Sequence, residues 1–434
     1  MTTDFVQSLE EHLASEPDTV RRAIEVIGQI LTGAGGRRDT AESFVSRSLA
    51  APLHELATHE VDLTATTELT VGAVLADLIE SHRPLTGPGE LDDPPSWRKL
   101  ELGGSAVSIP TSISAAFPAG SLAPVDLVVR VSESYQHDRS VLRVYARADD
   151  RRHAAAVADT ITRRADTERN FLRGRVLLAS CGSVLRLELG SLCEVDRCGL
   201  VLPDEVWREL DTNIAAVTSR AELMRSLGLG TRRGILLAGP PGVGKSAVTR
   251  TIAAELLGAF TVIVVDADAG ASRLREIYRE TRKLGPTVVI LDDIDLYIGN
   301  RSRGSGGPSL AGLLAVLDGV EKYDDVLTLA TTNDPGALDS AATRASRFDS
   351  VVHLGYPGRE SAVRILEVFT RPLGVEIDCG AVLEGLDGDV SGADLRDMVS
   401  RAVLEHGSEL TTASFREVVR AGRWKVAELT GQYL

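Results

Sequence analysis

Apolar residues recur at three- and four-residue spacing early in the chain, at Phe5, Leu9 and Leu13, then at Val20, Ala23, Ile24, Ile27, Ile30 and Leu31. That period belongs to one face of a helix. Gly33, Ala34, Gly35 and Gly36 interrupt it, and the pattern resumes with Leu53, Leu56, Val74, Leu75, Leu78 and Ile79. Residues 1–82 are therefore expected as a helical region. Pro and Gly crowd residues 83–96 (RPLTGPGELDDPPS), a composition that predicts a linker.

From Trp97 the period changes. Segments 126–132 (DLVVRVS) and 140–148 (SVLRVYARA) are rich in β-branched residues and alternate in part, which predicts strands. A helix is expected over Asp150–Phe171, then a hairpin across Cys181-Gly182-Ser183, making residues 97–199 a small α/β domain. Beyond Leu200 the apolar runs ILLAG, TVIVVD, TVVILDD and VLTLATT alternate with helical segments. Such alternation predicts an α/β fold with a parallel sheet covered by helices on both faces. It is expected over 200–357, with a helical subdomain over 358–434.

Composition narrows the classes. Apolar residues are 43% of the 434, enough for a buried core. No apolar run reaches the roughly 18 residues of a membrane span. The opening MTTDFVQSLEEHLASEPD lacks the basic start and apolar core of a secretory signal, so a soluble, cytoplasmic protein is expected. The four cysteines form no CxxC pair and no metal-ligand spacing. A net charge of −15 argues against nucleic acid as the main partner, because such binders draw affinity from Lys and Arg facing phosphates. Only five lysines stand beside forty-two arginines, so each lysine invites a question.

One lysine answers it. Gly239-Pro240-Pro241-Gly242-Val243-Gly244-Lys245-Ser246 fits GxxxxGK[ST], after the apolar run Ile235–Ala238 and before a helical segment opening at Ala247. Glycines let successive N–H groups turn inward around phosphate, beside the positive end of the following helix. Lys245 is placed for the β- and γ-phosphates, and Ser246 for magnesium. The run Thr287–Leu291 ends in Asp292 and Asp293. An acid at the carboxyl end of a parallel strand faces the crevice where such sheets bind ligands. Asp292 is expected to hold magnesium through water, since magnesium keeps much of its hydration shell.

With these motifs in order, residues from about 200 to 434 resemble the AAA subfamily of AAA+ P-loop ATPases. The resemblance implies ATP and Mg2+ as cofactors, and a homo-oligomeric ring, six copies by family habit. Asn333, closing the strand that ends Ala330-Thr331-Thr332, matches the polar residue that positions the attacking water. Residues 337–349 resemble the second region of homology, which implies that Arg344 and Arg347 reach a neighbour's γ-phosphate. Ser391-Gly392-Ala393-Asp394-Leu395 resembles the lid segment near adenine, bringing in Gly392 and Ala393. Residues 309–320 resemble the AAA domain of the mitochondrial Rieske-protein translocase.

Two departures stand out. The family usually has glutamate after the aspartate that Asp292 matches (the Walker B aspartate), as general base or water-orienter; here it is Asp293, one methylene shorter, and the expectation is slow hydrolysis, hydrolysis through a second water, or binding alone. Threading motors carry an aromatic pore loop after the second strand, whereas Asp266-Ala267-Asp268-Ala269-Gly270 runs almost directly into a helix expected near Ser272. A second pore segment, 299–308, is Gly-rich and basic. The expected function is an ATPase that remodels a protein substrate or assembly recruited by residues 1–199. The alternative is a nucleotide-dependent switch or assembly scaffold.

Overall fold

In the computed structural model of the chain, the residues described are 40–102, 105–134, 139–192, 196–296, 323–334, 348–386, 388–422 and 424. They divide into two units. The first takes the described residues of Met1–Asp62, Gly72–Lys99 and Ser108–Thr162, and the second those of Leu63–Val71, Leu100–Val107 and Arg163–Leu434. No helix among the described residues is long and apolar enough to cross a membrane.

Ahead of the second unit's main run the chain forms α1 (Ala41–Ser48), β1 (Leu56–Asp62), α2 (Ala65–His82), β2 (Leu85–Gly87), β3 (Ser96–Glu101), β4 (Ala106–Phe117), β5 (Leu127–Ser134), β6 (Arg139–Arg147) and α3 (Arg151–Asp166). The strands make one sheet in the order β1-β6-β5-β4-β2, with β3 also on β4. The pairs β1/β6, β5/β6 and β4/β5 are antiparallel. Val129 faces Val144 and Val131 faces Leu142 across the ladder, and all four are buried. On the opposite face, Phe44, Val45 and Leu49 pack with Val128 and Tyr145. Two sequence expectations change here. Leu56–Asp62 is a strand rather than helix, because its alternating residues pair along the edge of β6. Leu85–Gly87, expected inside a linker, pairs with β4. The apolar positions from Phe5 to Leu31 lie outside the described residues.

The second unit continues with β7 (Val176–Cys181), β8 (Leu185–Leu189), α4 (Asp204–Val217), α5 (Ala221–Ser226), β9 (Arg232–Ala238), α6 (Lys245–Leu256), β10 (Thr261–Val265), α7 (Ala267–Leu284), β11 (Thr287–Leu291), β12 (Val326–Thr332) and β13 (Ser350–His353). Its sheet runs β13-β9-β12-β11-β10-β7-β8. Every pair is parallel except β7/β8. The hairpin expected in the 97–199 domain is thus an extension of this sheet, because β7 pairs along β10. Its core includes Val176, Leu210, Ile235, Leu237, Val248, Ile252, Val262, Val288, Ile290, Leu327 and Leu329.

Helix α7 begins at Ala267, earlier than the expected Ser272. Asp266 caps it, accepting the Ala269 N–H at 2.6 Å, and capping by Asp is a strong start signal. Leu274, Ile277, Tyr278, Thr281 and Leu284 form its buried stripe. No loop separates β10 from α7. The helical tail comprises α8 (Arg359–Thr370), α9 (Cys379–Val382), α10 (Gly392–His406) and α11 (Thr412–Arg420). These close their own core around Leu366, Leu395, Met398, Phe415 and Val418.

Candidate functional site

Strand order brings the candidate residues together. β12 lies between β9 and β11, so the carboxyl ends of all three meet. Ala238 sits opposite Thr332 and Ala330 opposite Leu291. The segments leaving these ends, Gly239 onward, Asn333 and Asp292-Asp293, therefore share one rim, where ligands of open α/β sheets bind.

The loop Gly239–Gly244 folds tightly between this rim and the tail. At Gly239 a Cβ would stand 1.9 Å from the Leu354 carbonyl oxygen, so no side chain fits. Gly242 has φ +81, and a Cβ there would meet Ser391 Oγ at 2.6 Å. The Gly242 carbonyl accepts the Ala393 N–H at 3.0 Å. Gly392 and Ala393 thus lie against the loop, fixed by the Ser391/Asp394 capping box that opens α10. Pro240 and Val243 are half-buried, Pro241 is exposed, and Ser246 and Ala247 occupy the first turn of α6, half-buried.

Lys245 is 5% exposed. Its ammonium donates to Gly239 O (2.9 Å), Pro240 O (2.8 Å) and Asn333 Oδ1 (2.7 Å), using all three of its protons. Burial pushes its pKa below the usual lysine value, opposed by the charges of Asp293, Asp295 and Asp292. The Asn333 amide also donates through Nδ2 to Asp293 Oδ1 at 2.9 Å. Ammonium, amide and carboxylate are joined in one line.

Asp293 has φ +50, a left-handed backbone that Asp tolerates better than most residues. Its N–H donates to Thr331 Oγ1 at 2.8 Å. The same hydroxyl donates to Asp292 Oδ1 at 3.2 Å, so Thr331 buttresses both acids. Arg250, from α6, stands 3.6 Å from Asp292 Oδ2. Asp295 Oδ1 accepts from Thr332 Oγ1 (3.0 Å) and from the Asn333 N–H (3.1 Å). The hydroxyl of Ser246 and the carboxylate of Asp292 are hard oxygen donors of the kind magnesium takes, and the glycine-lined loop before α6 suits a phosphate chain.

Sequence reasoning named Lys245, Asp293 and Asn333, and the structure joins them directly. Arg344, Arg347, the 299–308 segment and the 309–320 segment with its Rieske-translocase likeness lie outside the described residues. Thr331, Asp295 and Arg250 were not singled out. The acid-rich run Asp292-Asp293-Ile294-Asp295 was the available signal for Asp295.

Residues 235–356 match the model of the ATPase family associated with various cellular activities (AAA). Over 194 residues the chain is 37% identical to an ATP-dependent zinc metalloprotease FtsH of Marinobacter nauticus, covering 42% of this chain and 30% of that protein. Over 194 residues it is likewise 36% identical to a cell division cycle protein 48 homolog of Archaeoglobus fulgidus, covering 42% of this chain and 26% of that protein. A probable inactive FtsH-type protein of Arabidopsis thaliana chloroplasts is 36% identical over 212 residues, covering 45% and 24%. The chain spans less than a third of the length of each of these relatives. The stretch that matches the AAA family model, residues 235–356, is the one built on the joined ends of β9, β11 and β12.

Proposed function

We propose that the chain binds ATP with magnesium and hydrolyses it in a homo-oligomeric ring, six copies by family habit, to remodel a protein substrate or assembly. The observation that carries this reading is the line Lys245–Asn333–Asp293 at the rim of the sheet. Phosphoryl transfer asks the protein for positioning and charge stabilisation. Lys245 would exchange a carbonyl acceptor of its own loop for a phosphate oxygen, while the N–H groups of the loop turn toward the chain of phosphates. Magnesium, held by Ser246 and through water by Asp292, would neutralise phosphate charge. Asp293 would orient the attacking water, with Asn333 fixing its carboxylate. Gly392 and Ala393, tied to Gly242, would border the base. Arg344 and Arg347 would act on a neighbouring copy's site, and arginine fingers contribute about 10³–10⁵ in rate. Residues 1–199 would recruit the substrate, whose identity the engine leaves open.

A second reading, a nucleotide-controlled switch with little turnover, draws support from two observations. Asp293 is a methylene short of glutamate, and α7 starts at Ala267 directly after β10, where a threading loop would stand. Steady-state ATP turnover at rising protein concentration separates the two. Specific activity that climbs cooperatively, and is lost in Lys245→Ala and Arg347→Ala, is the expected result. Nucleotide binding with background turnover at every concentration would leave the switch.

A further inference from the structure

The seven-stranded sheet stops one residue short of Asn333. The ladder between β12 and β9 ends at Thr332 opposite Ala238, so Asn333 is the first residue beyond the strand. Its side chain nevertheless has to satisfy two partners at once, accepting from Lys245 at 2.7 Å and donating to Asp293 at 2.9 Å. A shift of its backbone would break both, because oxygen and nitrogen of one planar amide are aimed in opposite senses.

Asp295 supplies what the ladder does not. One carboxylate oxygen accepts the Asn333 N–H at 3.1 Å and the Thr332 hydroxyl at 3.0 Å. That hydroxyl in turn accepts the Asp334 N–H at 3.1 Å. Three consecutive residues, Thr332, Asn333 and Asp334, are therefore gathered on Asp295 directly or through one hydroxyl. The segment carrying Asp295 is itself fixed to β12, since the Ile294 N–H donates to the Thr331 carbonyl at 2.9 Å. Hydrogen bonds to an ionised acceptor are roughly twice as strong as neutral ones, which suits a clamp at a half-buried turn.

We infer that Asp295 is a positioning residue that holds the Thr332–Asp334 turn so that the Asn333 amide bridges Lys245 and Asp293. The inference rests on the hydrolytic reading for its consequence, but the clamp itself can be read without turnover. In the full-length protein, hydrogen exchange of the 331–334 segment should speed up in Asp295→Ala and stay slow in Asp295→Asn, which keeps an acceptor oxygen. With ATP and magnesium, Asp295→Ala should lose roughly 10–100-fold in kcat, the scale of a misplacement near 1 Å. Its ATP affinity should stay within about threefold, as for an interaction realised in the transition state, and Asp295→Asn should recover most of the rate. Thr332→Val, which removes the hydroxyl and keeps the volume, replaces Asp295→Ala if that variant does not fold. Unchanged exchange at 331–334 would overturn the clamp. Faster exchange with wild-type kcat, or affinity falling in step with kcat, would overturn its positioning role. Wild-type protein with no turnover at any concentration would refute hydrolysis, while the exchange data would still decide the clamp.

Discussion

Strands β11 and β12 are buried at every position, and β9 at all but its first two. In the antiparallel sheet the edge strand β1 has no buried position and runs between half-buried and exposed, whereas its neighbour β6 is buried at six of nine. The difference follows from position in the sheet, since β1 is an edge and β9, β11 and β12 each have a strand on either side, and from how the strands are connected. Parallel strands joined through helices are covered on both faces, so polar chemistry is driven to the strand ends, and three of those ends meet at Lys245, Asn333 and Asp293. In the antiparallel sheet the polar groups stay on a face and pair across it. Glu60 lies opposite Arg143, which lies opposite Arg130. Arg143 donates to Glu60 at 2.7 Å and to Ser132 at 3.3 Å. One sheet concentrates its polar groups at a rim, and the other spends them along its surface.

Cutting into the parallel core should do the most damage. Ile290 is fully buried among the residues of the main cluster, and Ile290→Ala should cost about 2–5 kcal/mol, read by chemical denaturation. Next in size is a titration. Complete burial pushes the Tyr278 phenol up to about 12 from an ordinary 10.0, with the Thr328 hydroxyl at 2.6 Å opposing the rise. The unfolded chain releases this proton first. Stability is therefore fully present below pH 10 and falls as pH rises toward 12, by on the order of 2–3 kcal/mol. Denaturation curves of wild type and Tyr278→Phe should diverge over that window, with the variant's curve the flatter. Tyr145, in strand β6 of the antiparallel sheet, is also raised by burial, but Arg130 and Arg143 work against it, so Tyr145→Phe should change the alkaline slope less. A Tyr145 effect equal to that of Tyr278 would erase the contrast between the antiparallel sheet and the helix-covered parallel core. The smallest effect is expected at Glu60. Its side chain is half exposed, and pairs of this kind contribute about 0–1 kcal/mol; Glu60→Ala should stay within that range.

Much of the parallel-sheet half is legible because its signals are local. The glycines at 239, 242 and 244, the lysine and serine after them, and the apolar runs of β9 to β12 each report a backbone or burial requirement met within a few residues. The misreadings came where pairing is distant. Leu53 and Leu56 fit a helical spacing, yet Leu56–Asp62 becomes a strand because β6 offers it an edge. The hairpin β7–β8 looked like the end of a small domain, since nothing within it shows that β10 will take it in parallel. The role of Asp295 is hidden for the same reason, its partner Asn333 lying 38 residues on.

By itself the sequence determined the phosphate-type loop, the acids after β11, the parallel α/β core and the helical tail, because each is written as a short-range pattern of glycine, charge or period. Tertiary structure alone decided which strands became neighbours. By setting β12 between β9 and β11, it joined Lys245, Asn333 and Asp293 into one line and set Asp295 beneath the turn. Such contacts depend on the packing of distant segments, and no local period records them.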